Sequence, residues 1–282
     1  MKIGLALSGG GIRGIAHAGV IKALEENNIK IDIIGGTSAG SMIASLYAVG
    51  YTPDEIYNLF KTNYNKIIGE NRFRIFNSIR NLVDKKTVLK GFRKGECIEE
   101  VFDMLAQNKN IDNIENVKMP IVIPTVDIMD AKEYIFTNKI PEDNLEGKYI
   151  TDVNIGKAVR ASSSFPAVFN LCTMHEHAFM DGGALDNVPV EEVKKQGADR
   201  VLAVKFDGDN LCKDSSIMDI VMKTIDIMGN KIIEDKLKKS DYVLSIHTEK
   251  VGLLEADKIG QCFKCGYETV QNNITKIKEC LS

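Results

Sequence analysis

The sequence predicts an α/β fold of three layers, with helices on both faces of a largely parallel central sheet. Three observations carry that expectation. Apolar strand-like runs recur along the chain, helical periodicity lies between most of them, and the first two runs each pass into a glycine-rich turn and then a helix. The strand patterns fall at residues 2–7, 31–34, 121–126, 134–137, 177–180, 201–206 and 242–246. Ile12, Ile15, Ala16, Gly19, Val20, Ala23 and Leu24 follow the i, i+3, i+4, i+7 spacing of a first helix. Thr52-Pro53-Asp54-Glu55 supplies an N-cap, a proline at the first helical position and a returning glutamate, so another helix starts there. Further helices are predicted at 96–107, 152–162, 190–196, 215–239 and 257–281. No Pro/Gly/Ser-rich linker or internal repeat divides the chain. One domain over 1–282 is expected, with residues 65–95 as a basic peripheral insertion and 211–282 as a helical C-terminal part.

A chain of 282 residues, 44% hydrophobic and 27% charged, can bury a sizeable core. No run of about 18 apolar residues is present, and the first strand begins without the basic and apolar regions of a signal peptide, which predicts a cytoplasmic protein without a membrane span. Six cysteines in a chain this long read as reduced thiols. Cys262 and Cys265 form a C-x-x-C, but they fall in a helical stripe with Ile259, Phe263, Gly266, Tyr267 and Val270, which points to packing rather than redox or metal chemistry. The formal charge of -3 hides an asymmetry: residues 65–95 hold nine Lys or Arg against Glu70 and Asp84. Phe73, Ile75, Phe76, Ile79 and Leu82 are interleaved with that charge, a composition suited to peripheral contact with an anionic membrane or to an anionic substrate; the alternative, which basic helical segments more often adopt, is a solvated helix pair with basic outer faces. Nucleic acid is not expected as a partner, and no oligomeric state is specified.

The second strand runs into Gly36-Thr37-Ser38-Ala39-Gly40 and then a helical pattern, the sequence form of a nucleophile elbow. A serine at such a tip needs a strained backbone, and its neighbours at Gly36 and Gly40 must be small. The following helix aims its free N–H groups at the serine, and the Ala39 N–H is the natural first oxyanion donor. A serine N-cap without chemistry has the same local pattern.

The first strand ends in Ser8-Gly9-Gly10-Gly11-Ile12-Arg13-Gly14, a loop able to point consecutive N–H groups into one small space. Two uses compete. Gly9, Gly11 and Gly14 fit a G-x-G-x-x-G nucleotide loop, although the ribose-binding acid should end the second strand and Asp32 precedes it. In the other use, Gly9, Gly10 and Gly11 face the serine and, with Ala39, form an oxyanion hole. Arg13 either braces this loop or holds an anionic head group.

A serine hydroxyl needs a base. His17 falls on the polar flank of the first helix, His175 and His177 form an H-x-H with only weak metal-ligand character, and His247 ends a late strand. The order Ser38, Asp181, His247 is that of a hydrolase triad. Asp181 competes with it as the direct base, because it ends an apolar strand and is followed by Gly182 and Gly183, which admit a neighbour closely. An ordinary aspartate, with a pKa of about 3.9, is a feeble base, so this role requires a specialised site. Asp186, Asp199 and Asp207 sit in or near turns without the double glycine.

Taken together, Gly9–Gly14, Gly36–Gly40 and Asp181–Gly183 resemble the patatin-like phospholipase family, in particular its compact bacterial members. The likeness extends to Gly14-Ile15-Ala16-His17-Ala18-Gly19-Val20, to Ala161-Ser162-Ser163-Ser164-Phe165-Pro166 and to Asn187-Val188-Pro189, and covers roughly residues 1–210. The resemblance implies a three-layer α/β/α fold and a Ser-Asp dyad without histidine. It makes Ser38 the nucleophile, Asp181 the base and Gly9–Gly14 the oxyanion loop, with Ile12, Arg13, Gly14, Gly36, Thr37, Gly40, Gly182 and Gly183 in support. It implies hydrolysis of lipid acyl esters with neither metal nor cofactor. Acyl transfer or thioester cleavage on a carrier is the alternative chemistry, and a nucleotide-binding module built on Gly9–Gly14 is the alternative outside the hydrolases.

Overall fold

Alternation of apolar residues builds the sheet. Leu5, Leu7, Ile34, Ile121, Ile123, Leu202 and Val204 belong to one core cluster, while the intervening Ala6, Ile33, Val122, Val201 and Ala203 belong to a second on the opposite face. Both faces are therefore covered. The computed structural model describes residues 1–68, 95–142, 148–166, 168–207, 217–248 and 256–282. The basic segment expected at 65–95 lies almost wholly outside these described residues.

Strand β1 (Ile3–Leu7) leads through a 3-10 turn (Gly11–Ile15) into α1 (Ala16–Glu26). Strand β2 (Ile33–Gly36) leads into α2 (Ala39–Ala48), followed by α3 (Pro53–Ile68) and α4 (Glu96–Gln107). The Thr52 cap forms as the sequence predicts: Glu55 N–H donates to Thr52 Oγ1 at 3.2 Å and Thr52 N–H donates to Glu55 Oε2 at 2.7 Å. Next come β3 (Ile121–Asp127), β4 (Lys132–Thr137), β5 (Tyr149–Ile150), α5 (Ile155–Ser162), β6 (Cys172–Met174) and β7 (His177–Asp181). The chain continues with α6 (Val190–Lys195), β8 (Arg200–Phe206), α7 (Ile217–Leu237), β9 (Tyr242–Ile246) and α8 (Ile259–Leu281). The main path of the sheet is β5-β4-β3-β2-β1-β8-β9, with β9, β8, β1, β2 and β3 parallel.

One feature of this topology positions the site. Strand β4 occupies one whole edge of β3, from Val122 to Asp127. The other edge is shared: β2 pairs there in parallel at Ile121 and Val122, and β7 pairs antiparallel at Thr125 to Asp127. The two strands therefore run toward each other along the same line. Their C-terminal ends, Gly36 of β2 and Asp181 of β7, meet head-on beside Ile123 and Pro124.

Strands β5 and β6 are absent from the sequence expectation. Each has only two or three residues, too few for a period-2 signal. The first helix also begins later than its apolar stripe, because the glycine-rich start closes into a 3-10 turn before α1. In α8, Ile259, Cys262, Gly266, Val270 and Ile277 are buried, as the predicted stripe requires. Among the described residues no helix is long and apolar enough to cross a membrane.

Candidate active site

Ser38 stands between β2 and α2 with φ 53° and ψ -122°, a backbone conformation that a residue with a side chain rarely adopts. Crowding sets the residues around it. A Cβ on Gly36 would lie 2.3 Å from the Gly40 carbonyl oxygen, and one on Gly40 would lie 2.5 Å from the Leu7 carbonyl oxygen. The Ser38 N–H donates to the buried Ser162 Oγ at 3.0 Å, and Gly40 and Ser41 N–H groups return to the Thr37 and Ser38 carbonyls. The first turn of α2 thus starts directly behind the serine.

The glycine loop lies against this turn at both of its ends. A Cβ built on Gly9 would be 3.1 Å from Ser38 Cβ, and one on Gly14 would be 2.5 Å from Ala39 Cβ. Gly11 has φ 59°, which glycine adopts without penalty. The amides of Gly10, Gly11 and Ala39 donate to no acceptor among the described residues. Gly9 differs: its N–H donates to Asn187 Oδ1 at 3.0 Å. Its expected place as an oxyanion donor is corrected on that ground, and Gly9 instead supplies close approach to Ser38. Arg13 is buried, donates from Nε to the Gly10 carbonyl at 3.3 Å and lies over the Phe206 ring, so it braces the loop.

His17, expected on a polar flank, is fully buried against Phe206, and its Nε2–H donates to the Ser8 carbonyl at 2.8 Å. Burial pushes its pKa from 6.5 down to about 4, with the Ser8 hydrogen bond opposing the shift. The unfolded chain therefore binds one more proton between these values. Unfolding free energy should fall as pH drops from 6.5 to 4, by roughly 3 kcal/mol in all, and His17→Gln should flatten that part of a pH–stability curve measured by urea unfolding. An equally steep curve in the variant would assign the slope elsewhere.

At the end of β7 the Asp181 N–H donates to the Ser164 carbonyl at 3.1 Å, and its Oδ1 accepts the Gly183 N–H at 2.8 Å. Ser162 and Ser164 thereby link the two converging strand ends, one accepting from Ser38 and the other from Asp181. Thr37 adds a second link: its hydroxyl donates to the Asp186 carbonyl at 2.8 Å, and its methyl lies 3.1 Å from where a Gly182 Cβ would be. Asn187 adds a third. The oxygen that accepts from Gly9 lies 3.2 Å from the position of a Gly183 Cβ, wedged between the glycine loop and the aspartate turn. Both Asn187 and Ser162 belong to motifs visible in the sequence, yet nothing there assigns them these bonds. The signal that could have found them is a side chain able to hydrogen-bond within an otherwise small-residue turn.

The rival acids and bases have other partners. Asp186 is fully buried; burial pushes its carboxyl well above the usual range, against the pull of Lys236 at 3.2 Å. Asp199 accepts the Lys2 N–H at the opposite end of the sheet, and Asp207 pairs with Lys205. Asp32 accepts the Ile3 N–H at the N-terminal end of the strands, away from the glycine loop, where a ribose-binding acid has no use. His177 is held by Asp127 at 2.6 Å, and His175 turns the β6–β7 hairpin. His247 is largely exposed and lies 3.8 Å from Asp207. It follows β9, which is three strand spacings from the line shared by β2 and β7, about 14 Å across the sheet. The structure does not bring His247 to Ser38 and Asp181.

Several known proteins are similar to this chain. The sequence model of the family described as patatin-like phospholipase matches residues 5–194. A lysophospholipase NTE1 from Meyerozyma guilliermondii is 32% identical over 202 residues, covering 72% of this chain and 12% of that protein. The lysophospholipase NTE1 of Candida albicans is 33% identical over 207 residues, with 72% and 13% covered. The chain therefore spans about an eighth of the length of these curated relatives. Among solved structures, VipD from Legionella pneumophila aligns with a TM-score of 0.54 at 15% identity, over 98% of this chain and 67% of that one. Human GIVD cytosolic phospholipase A2, solved with methyl gamma-linolenyl fluorophosphonate, aligns with a TM-score of 0.50 at 10% identity, over 99% and 58%. These two likenesses show a common fold. The family match covers both glycine-rich turns and the strand end bearing Asp181, and it shows that the chain belongs to the patatin-like phospholipase family.

Proposed function

We propose that this chain is a serine acyl hydrolase that cleaves fatty acyl esters of phospholipids or lysophospholipids through Ser38 and Asp181. One observation carries the reading: a serine in a strained turn ahead of α2 meets, end to end on the same edge of β3, a strand that finishes in an aspartate. The family description and the names of the lysophospholipase relatives support lipid esters as the substrate class.

In this mechanism the Asp181 carboxylate accepts the Ser38 hydroxyl proton as Oγ attacks the acyl carbonyl carbon. The negative charge moves onto the carbonyl oxygen, where the Gly10, Gly11 and Ala39 amides receive it, assisted by the positive end of α2. Collapse of the tetrahedral intermediate breaks the ester C–O bond, and the Asp181 proton passes to the departing alcohol or lysolipid oxygen. Water then attacks the acyl-serine while Asp181 takes its proton. The fatty acid leaves and the proton returns to Ser38. The bond from the Gly183 N–H holds the carboxylate in one orientation through both halves of the cycle.

Hydrolysis of a chromogenic acyl ester and of a lysophospholipid tests this reading. His247→Ala should keep turnover within about twofold of wild type, since that residue lies across the sheet from the dyad. If His247→Ala were inactive and Asp181→Asn active, a triad would replace the dyad. Product analysis with added alcohol or thiol acceptors separates hydrolysis from acyl transfer, and free fatty acid should dominate.

A further inference from the structure

The family match ends at residue 194, yet the cleft beside Asp181 is completed by a helix beyond that point. The cleft holds about 170 Å³, and its near wall is formed by Phe165, Pro166, Met180 and Ala184 next to Asp181. Helix α7 supplies the far wall with Met228, Gly229 and Ile232. Met228 exposes 60% of its surface and Ile232 exposes 44%, with Ile227 beside them at 59%, an apolar cluster of the kind that marks a binding surface.

The helix is anchored so that this cluster overhangs the cleft. Ile233 is buried in the core of the same face, and Lys239 pairs with Glu191 on α6. Lys236 reaches the buried Asp186 and donates to the Leu185 carbonyl, just past the Asp181-Gly182-Gly183 turn. At Gly229 the helix comes close to that turn, since a Cβ there would lie 3.0 Å from the Gly183 carbonyl oxygen.

The geometry points to this cleft as the site of the substrate's acyl chain, with α7 setting the chain length through Met228, Gly229 and Ile232. The inference rests on the hydrolase reading above: with the ester carbonyl at Ser38, the chain passes Asp181 and runs beneath α7. A chain fits and a head group does not. Apart from Asp181 the lining is apolar, so a phosphate or sugar entering it would lose water with nothing in return, and an anion would also face the Asp181 carboxylate. Each buried methylene, by contrast, adds to binding.

The test compares p-nitrophenyl butyrate and octanoate, both kept below the concentrations at which they aggregate, so that no lipid surface is present. In Gly229→Leu the octanoate-to-butyrate ratio of kcat/KM should fall about tenfold or more, chiefly through KM. Ile232→Trp, which narrows the cleft from the next helical turn, should act the same way and guards against misfolding of the first variant. Calorimetric titration of decanoate into the wild-type chain reads the cleft without turnover, and Gly229→Leu should weaken that binding about tenfold or more. An unchanged ratio with unchanged decanoate affinity would overturn the proposal. A chain that binds decanoate in this Gly229-dependent way but hydrolyses no ester would remove the hydrolase reading and leave the cleft as a fatty-acyl site.

Discussion

Ser38→Ala and Asp181→Asn should each lower ester turnover by on the order of 10⁴-fold while leaving the fold in place. Alanine keeps the Cβ that lies against Gly9 and removes only the oxygen that would carry the acyl group. Asparagine keeps the size of Asp181 and an oxygen for the Gly183 N–H, but it cannot take the serine proton. Because both residues belong to one reaction step, the double variant should be no worse than either single one. Single-turnover assays, with circular dichroism melting as the control for folding, check this. More than about one per cent of wild-type turnover in Ser38→Ala would remove the nucleophile from the account.

The second large effect is expected at Asn187. Its Oδ1 accepts the N–H of Gly9, 178 residues away in sequence, and fills the space between the loop of β1 and the turn after β7. Asn187→Ala leaves that N–H without its acceptor and opens a gap beside the amides assigned to the oxyanion. A shift of about 1 Å in such donors costs on the order of 10²-fold in rate. We therefore expect kcat to fall 10- to 100-fold, with KM changed by less than about threefold, because the loop acts on the developing charge rather than on the bound ground state. Equal losses in kcat and thermal stability, together with a large rise in KM, would mean that Asn187 only holds the fold.

Much of this arrangement is legible in the sequence because local chemistry dictates it. The strand-to-helix turn at Ser38 announces itself through Gly36 and Gly40, whose side chains would strike the Gly40 and Leu7 carbonyls. The Thr52 cap and the stripe of α8 follow from spacing alone. What the sequence does not give is the meeting of distant segments. That β7 shares an edge of β3 with β2, and so delivers Asp181 opposite the elbow, depends on strand register rather than on any local pattern. The burial of His17 escapes for a related reason: its polar ring faces the core only because the Ser8 carbonyl waits there as its acceptor. The wall formed by α7 escapes too, since no local pattern marks Met228 and Ile232 as facing a cleft.

The most direct measurement is covalent labelling with a fluorophosphonate followed by peptide mass spectrometry. Wild-type chain should gain one adduct on the peptide that carries Ser38, Asp181→Asn should label far more slowly, and Ser38→Ala should not label at all. An adduct on a different serine, or labelling that persists without the Ser38 hydroxyl, would contradict a catalytic centre built where β2 and β7 meet.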